Sequence, residues 1–150
     1  MATYACFKGL GFWKHEFCGP NVKHVRGTHI DPATLLSLLP IVQRSTEIDW
    51  TRGDGVLDGE DVAYVLNRPD SEICSICEAH YLASLLNYAL DGAPSSMMVD
   101  CNADGIVDVT WAQMIHSVDA LFAQRDAEAC LQAKAMAASV NAMPSIGCPY

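Results

Sequence analysis

Two short windows of the chain concentrate carboxylates. Glu47, Asp49, Asp54, Asp58, Glu60 and Asp61 fall in one, and Asp100, Asp104 and Asp108 in the other, together half of the 18 acidic residues. Carboxylates packed this closely repel one another, so a positive charge is expected between them. The second window reads D-x-N-x-D-G-x-V-D from Asp100. Its side-chain oxygens at Asp100, Asn102, Asp104 and Asp108 take loop positions 1, 3, 5 and 9, and the carbonyl of Ile106 takes position 7. Gly105 at position 6 permits the reversal that lets them converge. A hard cation wanting six to eight oxygens suits such a loop, and calcium is the expected occupant. Val107 at position 8 is expected to put a β-bridge side chain into the core. Trp111 stands at position 12, where a carboxylate usually closes the shell, so water or a remote carboxylate must complete it.

The first window fits the same pattern from its middle onward. Asp54 takes position 5, Gly55 position 6, the carbonyl of Val56 position 7, Leu57 position 8, Asp58 position 9 and Asp61 position 12. In strict register Trp50 and Arg52 would occupy positions 1 and 3, where neither can act as a ligand. One extra residue between Thr51 and Asp54 restores Asp49 and Thr51 to those roles. Each loop is thus imperfect, at opposite ends, and two calcium ions are expected. The competing reading is an acidic turn that caps a helix, since Asp and Asn favour turns and N-caps.

A third set is Cys74, Cys77 and His80, at successive i+3 positions on one helical face. Zinc is one reading, with Cys18, His15, His24 or His29 as a fourth ligand. The other is structural: these cysteines bridge elsewhere, for example Cys74 or Cys77 to Cys18, and His80 packs within the helix. The structural reading is favoured because the stretch lies on an apolar stripe. The spacing is not that of haem attachment, which needs His directly after the second Cys. Glu78 with His80, or Asp119 with His116, offers an acid/base pair only in the way any acidic helix does, and these side chains are expected to be polar groups facing solvent. No phosphate loop, nucleophile elbow or HExxH motif is present, so no enzyme is expected.

The elements that must position these residues are helical. Asp31-Pro32 starts a helix as N-cap and first-turn proline, with Leu35, Leu36, Leu38 and Leu39 on its apolar face and Pro40 kinking or ending it. A short helix spans Gly59 to Leu66, with Val62, Tyr64, Val65 and Leu66 turned inward and Pro69 stopping it. Ser71 opens the longest helix, with Glu72 in its first turn, and Asp91-Gly92-Ala93-Pro94 closes it. Helices near 110–124 and 126–142 follow. Residues 1–30, broken by Gly9, Gly11, Gly19 and Gly27, read as an irregular, cross-linked cap, within which Phe12 and Trp13 pack against the helices. The expectation is one all-α domain over 1–150, of about five helices with long irregular loops.

Composition narrows the function. With 150 residues, 51% of them hydrophobic and 18% charged, the chain can bury a core without metal or disulfides. A formal charge of −9, from 9 basic and 18 acidic residues, repels nucleic acid, and Lys8, Lys14, Lys23 and Arg26 leave only the first 30 residues basic. No apolar run reaches the length of roughly 18 to 20 residues that a membrane span needs, so no membrane insertion is expected. Seven cysteines (Cys6, Cys18, Cys74, Cys77, Cys101, Cys130, Cys148) point to an oxidising compartment, and a Cys6–Cys148 bridge would restrain both termini. Met1 to Tyr4 lacks the basic and apolar regions of a signal peptide, so a secreted or cell-surface reading requires that the leader is not present in this chain.

The stretches Gly53 to Leu66 (GDGVLDGEDVAYVL) and Asp100 to Ile115 (DCNADGIVDVTWAQMI) resemble the calcium-loop-plus-helix repeats of dockerins, relatives of the EF-hand. The resemblance covers roughly a third of the chain and implies two bound calcium ions, with docking onto a cohesin domain through the helices. The loops begin about fifty residues apart with a long Cys-containing helix between them, so the cohesin-binding surface is not carried over with the ligands. A weaker resemblance, in Cys6 to Lys14, Ala79 to Asn87 with Gly92-Ala93, and Cys148, is to a module of bacterial secreted and surface proteins. It implies an extracellular structural role and no catalytic residues. The expected function is an extracellular calcium-binding structural module. The alternative is a protein–protein interaction or self-assembly module whose odd cysteine links neighbours, and the third reading is a zinc protein using Cys74, Cys77 and His80.

Overall fold

The computed structural model describes residues 4–18, 27–68 and 72–150. The expectations placed on Ser71, Pro69, Gly19, Lys23, His24 and Arg26 lie outside the described residues. The helices are α1 (Leu10–Phe17), α2 (Pro32–Ser45), α3 (Gly59–Leu66), α4 (Ile73–Leu90), α5 (Trp111–Ala123) and α6 (Ala127–Asn141). Two-residue strands β1 (Met98–Val99) and β2 (Val109–Thr110) form an antiparallel ladder pairing Met98 with Thr110 and Val99 with Val109. The fold is mostly helical, as the periodicity predicts, with α1 additional to the expected five helices.

Local chemistry sets most of these boundaries. Asp31 accepts from the Thr34 N–H at 3.0 Å and Pro32 opens α2. The α2 helix runs through Pro40 to Ser45, so of the two effects expected of Pro40, a kink or an end, the end does not occur. A reciprocal Asp58–Asp61 capping box starts α3, and a Thr110–Gln113 box starts α5. The Glu72 side chain caps α4 by accepting from the N–H groups of Cys74 and Ser75. At the far end of α4, Gly92 at φ 87° and Ala93 at φ 56° turn the chain away, and the Ala93 N–H donates back to the Tyr88 carbonyl at 2.9 Å. In α1, Gly9 is the N-cap and Gly11 sits exposed in the first turn, while Trp13, Glu16 and Phe17 are buried. The glycines that argue for an irregular cap therefore flank a helix rather than prevent one.

The α4 helix is the hub, packed against α1, α2, α3, α5 and α6. Its residues 81–90 are buried all round, which only a central helix can sustain. The polar groups this burial traps are paired. Asn87 Oδ1 accepts from the Lys8 N–H (2.9 Å) and Trp13 Nε1 (3.2 Å), and Nδ2 donates to the Lys8 carbonyl and to Asn141 Oδ1. Asn141 in turn donates to the His80 carbonyl and accepts from Ser84 Oγ, tying α4, α6 and the N-terminal segment together.

Two disulfides close the structure, Cys6–Cys148 and Cys74–Cys130. The first is the expected terminal restraint. The second pins the start of α4 to α6 and replaces the expected Cys74 or Cys77 link to Cys18, because Cys18 lies against the Ala63 carbonyl of α3 and Cys77 is buried. Cys18, Cys77 and Cys101 are free thiols. None of the described helices is long and apolar enough to cross a membrane.

Candidate metal centre

The loop between α2 and α3 brings part of its acidic set together. Asp54, Asp58 and Asp61 each offer an oxygen within 4.8 Å of the other two. Asp58 and Asp61 are held by their capping box, Asp61 accepting from the Asp58 N–H at 3.1 Å and Asp58 from the Asp61 N–H at 2.8 Å. Asp54 Oδ1 accepts from the Val56 N–H at 3.0 Å. Asp49 faces its own turn: Oδ1 accepts from the Thr51 N–H (2.9 Å) and hydroxyl (2.6 Å), which holds its carboxyl below the usual carboxylate range. Gln43 of α2 clamps the loop, donating to the Gly55 carbonyl and accepting from the Leu57 N–H, both at 2.9 Å. Leu57 at position 8 is buried, as a loop side chain turned to the core should be.

Arg52 is the residue that sequence reasoning missed. It adopts φ 55°, followed by Gly53 at 94°, and this left-handed reversal turns its side chain back over α3. Its Nε donates to Asp61 Oδ1 at 2.7 Å and Nη2 stands 3.8 Å from Glu60, while the guanidinium lies over the exposed ring of Tyr64. Tyr64 is thus not the inward residue its position suggests; Arg68 covers the same ring. Asp61 is only 2% exposed, so this loop carries its own counter-charge on its most buried acid. The signal was present, since Arg52 falls in register on a ligand position where it does not fit.

The loop between β1 and β2 is built differently. Asp100, 7% exposed, accepts from the Asn102 N–H at 3.1 Å through Oδ1 and from the Gly105 N–H at 2.9 Å through Oδ2. Asn102 Oδ1 accepts from the Asp104 N–H at 3.3 Å, and Asp104 Oδ1 from the Ile106 N–H at 2.9 Å. Burial pushes the Asp100 carboxyl upward, but backbone N–H groups of Asn102, Gly105, Ala103 and Asp104 outweigh it and hold the group below the usual range. Ala103 at φ 60° and Gly105 at φ 84° make the reversal. The ladder and an Asp108 N–H to Val99 carbonyl bond at 3.2 Å pin both ends of the loop.

The side chains at positions 1, 3 and 5 are therefore each held by backbone N–H groups, whereas the second half of the loop departs from the motif. Asp100, Asp104 and Asp108 are not gathered within 4.8 Å as the first-loop acids are. Val107 is 47% exposed rather than buried, because the strand pairing begins two residues later at Val109. The following helix starts at Trp111 with Thr110 as its N-cap, so Asp108 does not cap it as Asp58 caps α3. Trp111 is fully buried between Phe7 and Tyr88, which explains why position 12 carries an indole: core packing has taken the place of ligation. Among the described residues, no ion pair involves Asp100, Asp104 or Asp108.

Comparison with protein-family models, curated proteins and solved structures finds no match to this chain.

The third candidate set is dismantled by its own chemistry. Cys74 is bonded to Cys130, so its sulfur is not a free thiolate. Burial, aided by the charges of Glu78 and Glu72, pushes the Cys77 thiol up to about 12, and burial lowers His80. Glu78 and Asp119 are structural acids rather than surface ones. Glu78 accepts from Trp50 Nε1 at 2.9 Å and pairs with Arg68. Asp119 accepts from the Thr46 hydroxyl, the Glu47 N–H and the Tyr81 hydroxyl.

Proposed function

We propose that the protein is an extracellular calcium-binding structural module whose principal ion sits in the β1–β2 loop. The observation that supports this reading is the order of Asp100, Asn102 and Asp104 around the Gly105 reversal, in a loop with no counter-charge of its own among the described residues. Asp100, Asn102 and Asp104 side chains, the Ile106 carbonyl and water supply the oxygens a hard divalent ion needs, with Asp108 as a further donor. The ion neutralises three acids and braces the ladder from which α5 departs. The α2–α3 loop, with Asp49, Thr51, Asp54, Val56, Asp58 and Asp61, is the weaker of two dockerin-like sites, because calcium there competes with Arg52 for Asp61. Two disulfides fit an oxidising location outside the cell.

Binding to the folded chain alone raises its stability by mass action, so calcium should raise the melting temperature and a chelator should remove the gain. An unchanged melting temperature contradicts the proposal.

A second reading, an interaction or self-assembly module, is favoured by exposed apolar side chains at the loop tips, Val56 (64% exposed) and Ile106 (65% exposed), and by the partly exposed free thiol of Cys101. Oligomer size compared with and without reductant separates it from a purely structural monomer.

A further inference from the structure

A separate cluster lies where the end of α1 meets residues 28–30. Glu16 is fully buried, unusual for a carboxylate, and the backbone holds it: Oε1 accepts from the N–H groups of His29 (2.8 Å) and Ile30 (2.7 Å), and Oε2 from that of Thr28 (3.1 Å). A carboxylate offers about four acceptor positions. Three are taken, and near Oε2 stands His29 Nδ1, at 3.4 Å. That separation is long for a charge-assisted hydrogen bond, which runs at about 2.7–2.9 Å. It matches the edge of a tetrahedron with metal–ligand bonds of about 2.0–2.1 Å, which is roughly 3.3–3.4 Å. His15, on the same turn of α1 as Glu16, brings a ring nitrogen into the group, so that one ligand atom from each of His15, Glu16 and His29 lies within 4.8 Å of the others. The two imidazole rings are 6.2 Å apart between centroids, and both residues are exposed.

We propose that His15, His29 and Glu16 form a site for a transition-metal ion of the zinc class, distinct from the acidic loops. The arrangement divides the work. Glu16 is a rigid anchor whose charge, buried away from any Lys or Arg ion pair among the described residues, calls for a cation. The histidines are solvent-facing and close onto the ion by side-chain rotation alone. Two imidazole nitrogens with one carboxylate oxygen select zinc or its neighbours over calcium, which takes oxygen donors. Water fills the fourth position, leaving an open coordination site. Bound metal would tie the C-terminal end of α1 to the segment that leads into α2.

The test is calorimetric titration of the full chain with zinc chloride. One equivalent should bind, His15→Ala or His29→Ala should each weaken it at least tenfold, and the double variant should abolish it while leaving the calcium isotherm unchanged. Undiminished zinc binding by the double variant, or no binding by the unaltered chain, overturns the proposal. A second measurement needs no variant: zinc, but not calcium, should protect His15 and His29 from diethylpyrocarbonate as read by mass spectrometry, and equal reactivity in both ions overturns the site.

Discussion

In the loop before α3 the guanidinium of Arg52 stands 2.7 Å from an oxygen of Asp61, whereas in the loop before α5 Asp100 and Asp104 accept from backbone N–H groups and have no charged partner among the described residues. The first loop gathers its carboxylates and neutralises the buried one from within. The second orders its first three oxygen side chains and leaves the charge uncompensated among the described residues. Sequence similarity between the loops therefore conceals a difference in what each asks of a metal ion. Calcium entering the first must displace or share a partner that is already in place, but in the second it adds the missing charge.

The largest effect is expected where the contrast is sharpest. Asp100→Ala removes the acceptor for the Asn102 and Gly105 N–H groups along with the first proposed ligand. It should lower the melting temperature without metal and abolish the calcium-induced rise. A calcium shift that survives this substitution would move the principal site to the first loop.

Arg52→Met probes the other side of the comparison. Asp61 loses its charged partner while staying buried, and because Arg52 is 45% exposed the melting temperature should fall by less than for a fully buried pair. The variant should then gain more from calcium than the unaltered chain does, measured as the difference in melting temperature with calcium and with chelator. Equal gains would mean that Arg52 does not compete with the ion.

A carboxylate elsewhere serves as the control for backbone stabilisation. Asp91, at the C-terminal end of α4, is buried, and among the described residues its carboxyl has one hydrogen bond, from the Cys6 N–H to Oδ1, with no partner for Oδ2. Burial pushes its carboxyl up to about 6 from an ordinary 3.8, the opposite direction to Asp100. The folded chain therefore binds this proton more tightly than the unfolded one, so the stability it contributes is present at low pH and is lost as pH rises through about 6. Asp91→Asn should raise stability at pH 7 by about 1–2 kcal/mol, with the gain shrinking as pH falls from about 6 and gone below about pH 4, as followed by melting temperature against pH. For Asp100 the sign reverses: its contribution is present above the unfolded value and is lost as pH falls through the lowered folded one.

The smallest effect belongs to Gln43→Ala, which frees the first loop from its two clamp bonds to Gly55 and Leu57. A cost of about 1 kcal/mol is expected in denaturant unfolding, with second-loop calcium affinity unchanged. A loss of calcium affinity would show the loops to be coupled.

Caps and apolar spacing made the longer helices readable. Asp31-Pro32 announces α2, Gly59 to Leu66 is α3 residue for residue, and the Trp111-to-Phe122 stripe is α5. Local signals misled where a glycine had two possible uses: Gly9 and Gly11 cap and open α1 instead of breaking it. Pairings that join distant segments left no local trace. Cys74–Cys130 links two helices across 56 residues, and Glu16 binds backbone N–H groups that no side-chain pattern encodes. Of the candidate site, the first half of the second loop was legible because its ligands repeat every two residues around one glycine. Arg52 was visible only as a misfit, since the reversal that swings it onto Asp61 is a backbone property. The burial of Trp111 and the exposure of Val107 depend on where the ladder starts, which a two-residue strand does not declare.

The most direct test of the central claim is calorimetric titration of calcium into the full chain and into Asp104→Asn, which keeps an oxygen for the Ile106 N–H but removes the charge at loop position 5. One dominant calcium ion is expected in the unaltered chain, with a loss of at least tenfold in its affinity in the variant. Superimposable isotherms, or no calcium binding by either protein, would contradict that claim.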